Sequence, residues 1–200
     1  MTLPNDFTAS YLRGFARVVE TLDAAALDAI IGRVTAAYGD GKQLFVAGNG
    51  GSAATASHMA ADLGKTILGK KIDPNAKRFR VFALTDNVPM LTAYGNDVSY
   101  DEIFAQPLRT YADAGDVLLV ISASGNSPNV LKALQAAREL GVETIALLGF
   151  DGGLALALSD HALVVRNTHY GYIEDAHSVA MHLITDALKP AVIESVAAAR

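Results

Sequence analysis

The sequence predicts an α/β fold: a three-layer αβα sandwich built on a five-stranded parallel sheet, preceded by N-terminal helices. Two observations predict it. From Gln43 onward, short apolar runs alternate with segments of helical periodicity, the order that builds a parallel sheet covered on both faces. The runs are also continuously apolar rather than alternating, as strands buried on both sides require.

Each element has its own signal. Asp6 to Tyr38 reads as two helices, because apolar residues recur at helical spacing in "YLRGFARVVETL" and "ALDAIIGRVTAAY", with Asp23 as the cap between them. "QLFVAG" (Gln43 to Gly48) is the first strand, and Ser52 to Leu68 is a helix. "FRVFAL" (Phe79 to Leu84) is the second strand, followed by a helical stretch from Val88 to Tyr94. "DVLLVIS" (Asp116 to Ser122) is the third strand, with a helix from Pro128 to Leu140. "ETIALLG" (Glu143 to Gly149) and "HALVVR" (His161 to Arg166) complete the sheet. A long helix closes the chain, roughly Ile173 to Ala198, with Pro190 as a candidate break.

Composition bounds the function. Two hundred residues fit a single domain, read as a helical extension over 1–40 and an αβα core over 41–200. Hydrophobic residues make up 51% of the chain, which points to an interface that hides further apolar surface, hence to a homo-oligomer. The net charge of -5 and the absence of a basic run argue against nucleic acid as a direct ligand. The cluster from Lys70 to Arg80 reads as a solvated loop. There is no cysteine, so disulfides, thiolate nucleophiles and cysteine metal sites are excluded. No signal peptide is visible, and no apolar stretch reaches the ~20 residues of a membrane span, so the cytoplasm is the expected location.

In parallel α/β sheets, ligands bind beyond the carboxyl ends of the strands. Two loops there carry the chemistry. After the first strand comes "GNGGS", Gly48 to Ser52. Its glycines let backbone N–H groups approach an anion, and a helix start adds partial positive charge. After the third strand comes "SASGNS", with the hydroxyls of Ser122, Ser124 and Ser127. A helix cap before Pro128 needs one serine, and three exceed that need. Neither loop has the lysine of a nucleotide-binding P-loop. Hydroxyls and N–H groups suit a sugar phosphate better than a nucleoside triphosphate.

Taken together, "GNGGS" and "ISASGNS" resemble the sugar isomerase (SIS) domain family, whose fold is flavodoxin-like, over nearly the whole chain. "TAYGND", "GDVLLVISASGNSPNVLKAL" and "GFDGG" resemble its phosphoheptose isomerase branch in particular. The resemblance implies that Ser122, Ser124 and Ser127 grip the substrate phosphate together with Ser52, with Gly50 and Gly51 in the cradle. It also implies that Asn49 and Asp97 contact the sugar.

His58 and Asp62 are four residues apart and share one helix face. Glu174, Ser178 and His182 recur at four-residue intervals on the last helix. "IEDAH" (Ile173 to His177) is similar to the family signature IQExH, and His182 matches a later family histidine. The family glutamate is here Asp62, the signature glutamine is Glu174, and the stretch between Tyr172 and Glu174 is shorter than usual. The resemblance makes Asp62 and His182 the acid/base pair. It also makes His58, Asp62, Glu174 and His182 a convergent set able to hold one Zn²⁺ per subunit, since two imidazoles and two carboxylates are acceptable zinc ligands. A homotetramer is implied, with active sites between subunits.

The leading expectation is therefore an aldose–ketose isomerase acting on sedoheptulose 7-phosphate or a related ketose phosphate, feeding heptose synthesis for surface polysaccharide. The competing expectation is a non-catalytic regulatory module of the same family, either a replication-initiator-associating protein or a sugar-phosphate sensor. The replication-linked branch typically lacks the acidic residue and the later histidine, and both are present here as Asp62 and His182.

Overall fold

The computed structural model of the chain describes residues 6–70, 72–74 and 76–198, with side chains described as far as Ile193. Its elements run α1 (Phe7–Glu20), α2 (Ala24–Gly39), β1 (Gln43–Gly48), α3 (Gly51–Gly64), β2 (Arg80–Ala83), α4 (Val88–Asp97), α5 (Ala105–Tyr111), β3 (Val117–Ser122), α6 (Pro128–Leu140), β4 (Glu143–Gly149), α7 (Gly153–Leu158), β5 (His161–Val165) and α8 (Tyr170–Ala198). The expected αβα sandwich is observed, with all five strands where the apolar runs placed them. Asp23 caps α2 as expected, its side chain accepting from the Ala26 N–H at 3.0 Å.

Three expectations are corrected. Two short helices, α5 and α7, appear where no element was read. The helix after β1 ends at Gly64, and Thr66–Leu68 forms a separate 3-10 turn. The last helix starts at Tyr170 and continues through Pro190 without a break. Pro190 is exposed, so water can satisfy the carbonyl that loses its helical partner. The Lys70–Arg80 stretch is loop among its described residues; Lys71 and Asn75 lie outside them.

The strands are all parallel, in the order β2-β1-β3-β4-β5. Connections from β1 lead to one edge and connections from β3 to the other. Their carboxyl ends therefore flank the point where neighbouring loops diverge, the natural ligand crevice of such sheets. Gly48 at the end of β1 lies opposite Ile121 of β3, which brings "GNGGS" beside "SASGNS".

Side-chain alternation assigns the two faces. Leu44, Val46, Leu119, Ile121 and Leu147 pack with α2, α3 and α8 on one side. Phe45, Ala47, Leu118, Val120 and Leu148 pack with α5, α6 and α7 on the other. The apolar side of α2 (Leu27, Ile30, Val34, Ala37) belongs to the main core. In α1, Val18 packs against Ala123, Val165, Ile173 and Ala176, while Leu12 stays 60% exposed. No helix among the described residues is long and apolar enough to cross a membrane.

Candidate active site

The crevice between the β1 and β3 loops holds a polar cavity of about 220 Å³, lined by Asn49, Ser52, Ser122, Ser124, Ser127, Tyr170 and Glu174 with Ile121 and Ala123. Ser52 lies in the first turn of α3, and Ser127 is the N-cap residue of α6. Two helix starts thus meet at the cavity, one from each face of the sheet, and helix starts favour anions.

The hydroxyls are prepared for a ligand that accepts. Ser122 Oγ accepts from the Gly125 N–H at 3.1 Å, and Ser124 Oγ accepts from the Asn126 N–H at 3.3 Å. These bonds use oxygen lone pairs and leave both O–H protons to donate. Ser127 makes no side-chain cap bond, so its hydroxyl is spared from α6. The turn itself depends on Gly125, which has φ +63° and lies so close to Gly152 of the "GFDGG" loop that a Cβ would fall 2.0 Å from the Gly152 carbonyl oxygen. Only glycine fits there. At Gly50, the N-cap of α3, φ is +55°.

Not all expected sugar contacts gather here. Asp97 ends α4, is exposed, and accepts from Asn96 Nδ2 at 2.7 Å; it is not among the cavity-lining residues. Tyr170 was missed by sequence reasoning and lines the cavity; its only signal was a polar aromatic just ahead of "IEDAH".

A second cluster lies further along the groove between α3 and α8. His58 Nε2 is 3.5 Å from Asp62 Oδ2, and His182 Nε2 is 4.0 Å from the same oxygen. The two imidazoles meet edge to face, with centroids 5.2 Å apart. One ligand atom from each of the three residues can be chosen so that all lie within 4.8 Å of one another. Asp62 Oδ1 accepts from Thr66 Oγ1 at 2.8 Å, which orients the carboxylate. The side chains of His58 and His182 are about half exposed, so one side of the cluster is open.

Glu174 does not join this group of three. Its carboxylate faces the start of α3, about 3.2 Å from where a Cβ on Gly51 would sit, and lines the serine cavity instead. Eight residues separate it from His182, about 12 Å along the helix axis. The groove therefore has two ends: Gly51 faces Glu174 at one, and Asp62 faces His182 at the other.

Comparison with known proteins identifies the family. The SIS domain family model matches residues 6–149. A phosphoheptose isomerase of Citrifermentans bemidjiense is 41% identical over 165 residues, 82% of this chain and 83% of that protein. One from a Geobacter species is 38% identical over 182 residues, 89% of this chain and 92% of that protein. A solved phosphoheptose isomerase from Neisseria gonorrhoeae superposes with a TM-score of 0.84 at 30% identity, covering 92% of this chain and 98% of that one. With the serine cradle, the switch-point crevice and the α3–α8 cluster all in place, the chain belongs to the SIS domain family, in its phosphoheptose isomerase branch.

Proposed function

We propose that the protein isomerises a ketose phosphate to an aldose phosphate, with sedoheptulose 7-phosphate to a heptose 7-phosphate as the leading conversion. The observation that carries this reading is the spacing of the two ends of the groove. Ser52 and His58 are six residues apart on α3, about 9 Å along its axis. That is on the order of the length of an open chain of six or seven carbons with bonds of ~1.5 Å. A phosphate held at the serines would bring the far end of such a chain to the His/Asp/His cluster.

The chemistry follows from the groups present. Asp62 takes the proton from C1 of the ketose, and the electron pair moves to form the C1–C2 double bond of an enediolate. The same carboxyl returns the proton to C2. His182 moves a proton between the oxygens on C2 and C1, so that the carbonyl ends on C1. His58 and Thr66 keep the Asp62 carboxylate oriented. Glu174 lines the cavity beside the phosphate end, where its charge disfavours a phosphate oxygen and favours a hydroxyl donor of the sugar.

His58, Asp62 and His182 also form a fitting donor set for Zn²⁺ or a similar ion: two imidazoles, one carboxylate and an open side. Ligand atoms on a tetrahedral ion with bonds of ~2.0–2.1 Å lie roughly 3.3 Å apart, close to the 3.5 and 4.0 Å separations in the cluster. When bound, such an ion would supply positive charge for a developing enediolate oxygen. Of the four expected ligands, Glu174 would have to move to take part.

The reading also includes a single SIS domain, a homotetramer with sites built between subunits, and a cytoplasmic location, supported by the family and the substrate class. The regulatory alternative is disfavoured by the joint presence of Asp62 and His182 in one cluster. The test is incubation with a panel of ketose phosphates and product identification by NMR. Asp62→Asn and His182→Ala are expected to abolish turnover while phosphate binding persists, and elemental analysis of chelator-free protein to find a transition metal near one per subunit. Parental turnover in both variants would remove this cluster from catalysis.

A further inference from the structure

The loops flanking the cavity are joined by a pair of carboxamides. Asn49, after β1, donates from Nδ2 to Asn129 Oδ1 at 2.8 Å. Asn129, in the first turn of α6, donates from Nδ2 back to Asn49 Oδ1 at 2.8 Å. Asn129 is only 2% exposed and does not line the cavity, whereas Asn49 does. The orientation of both amides is fixed by a backbone donor. The Val130 N–H lies 3.0 Å from Asn129 Oδ1, and an N–H can only face an oxygen. That places the Asn129 nitrogen toward Asn49 Oδ1, and the Asn49 nitrogen toward Asn129.

The consequence falls on Asn49. A free asparagine offers a ligand either its oxygen or its nitrogen. Here Oδ1 accepts from Asn129 and faces the Tyr100 hydroxyl at 3.4 Å. One Nδ2 proton is held by Asn129, and the second remains. We propose that Asn129 is a positioning residue that makes Asn49 present only a donor to the cavity, so that this wall of the site selects for an anion or another acceptor. The inference rests on the reading of the cavity as a phosphate cradle, and it assigns Asn49, which lines that cavity beside the serines, to the phosphate rather than to the sugar that the resemblance implies. Turning the Asn49 amide would strand an oxygen against an oxygen and a nitrogen against a nitrogen in this part-buried pair, so the donor orientation is favoured.

The test measures inorganic phosphate binding by calorimetry, independent of turnover, in the parent, Asn49→Ala, Asn129→Ala and the double variant. Asn129→Ala is expected to weaken phosphate binding about five- to tenfold. Asn49→Ala should cost a similar factor, and the double variant should be no worse than Asn49→Ala, because Asn129 acts through Asn49. A purely structural role for Asn129 would instead multiply the two losses. Asn129→Ser, which keeps a side-chain oxygen at the start of α6 but cannot reach Asn49, should show the same weakened binding when assayed well below its own melting temperature, where it is fully folded. Parental affinity in Asn129→Ser or Asn129→Ala, or multiplied losses in the double variant, overturns the assignment while leaving the cradle intact. Failure of the parent itself to bind phosphate overturns the cradle, and this inference with it.

Discussion

A serine hydroxyl at a helix start can hold the helix or hold a ligand, and in the β3 loop the two uses are kept apart. Ser127 leaves its cap position unbonded, and Ser122 and Ser124 engage the backbone only as acceptors. Each can therefore donate to a phosphate oxygen. Replacing Ser124 with alanine should remove one hydrogen bond to a charged group, worth roughly 1.5–3 kcal/mol, and weaken sugar-phosphate affinity ten- to hundredfold in calorimetry. Unchanged affinity would take this loop out of the site. The three serines were legible in the sequence because they exceed what capping needs. Asn129 was not, since its partner lies 80 positions away and an asparagine after Ser-Pro looks like ordinary helix-start chemistry. Glu174 was legible as a site residue, but its end of the groove was not. Four-residue spacing fixes a helix face, whereas position along the face depends on how α8 is set against α3.

That setting is partly the work of His177 in α8. It is 1% exposed, and its Nε2–H donates to the Leu148 carbonyl at the end of β4 at 3.0 Å. Its Nδ1 is buried with no hydrogen-bond partner. A second proton would have nothing to bond, and burial pushes the imidazole pKa from 6.5 down to about 4, against a smaller opposing effect of the Leu148 carbonyl. The folded form thus binds fewer protons than the unfolded chain between these values. Stability from the neutral ring is complete above pH 6.5 and falls as pH drops toward 4. At pH 5 this group alone should lower stability by about 2 kcal/mol relative to pH 7.5. Urea melts of the parent and His177→Gln at the two pH values check it: the parent should lose more on acidification, and equal losses would refute the buried neutral ring. At this scale the sequence was clear for long elements and blind to short ones. α5 and α7 have seven and six residues, fewer than two turns, too few for a helical period to register. The continuation of α8 past Pro190 was also hidden, because a proline's cost depends on whether its helix face meets water.

At the scale of the molecule, the topology explains why the serine-lined loops and the His/Asp/His cluster occupy one groove. The β1–β3 switch point aims both loops at the start of α3, and α8 returns across the same face of the sheet to lie beside it. The single chain leaves this groove open on one side, with His58 and His182 half exposed. It also leaves apolar surface uncovered: Leu12 on α1, and Val98 and Tyr100 just after α4, are each at least 60% exposed. Val88 at the start of α4 is 59% exposed as well, whereas Leu91 and Tyr94 on the same helix pack against the core. Exposed apolar side chains of this kind are what a subunit interface would cover. A tetramer is expected, with a mass in light scattering near four times the 20.9 kDa subunit at micromolar concentration. Leu12→Asp should shift the protein toward smaller species if α1 contributes to the contact, because a carboxylate cannot be buried there without a partner. If the open side of the His/Asp/His cluster is closed by that neighbour, isomerase activity should fall in proportion to the dissociated fraction and return at higher protein concentration. A monomeric parent with full activity would show that one chain closes its own site, and the uncovered apolar surface would then need a different explanation.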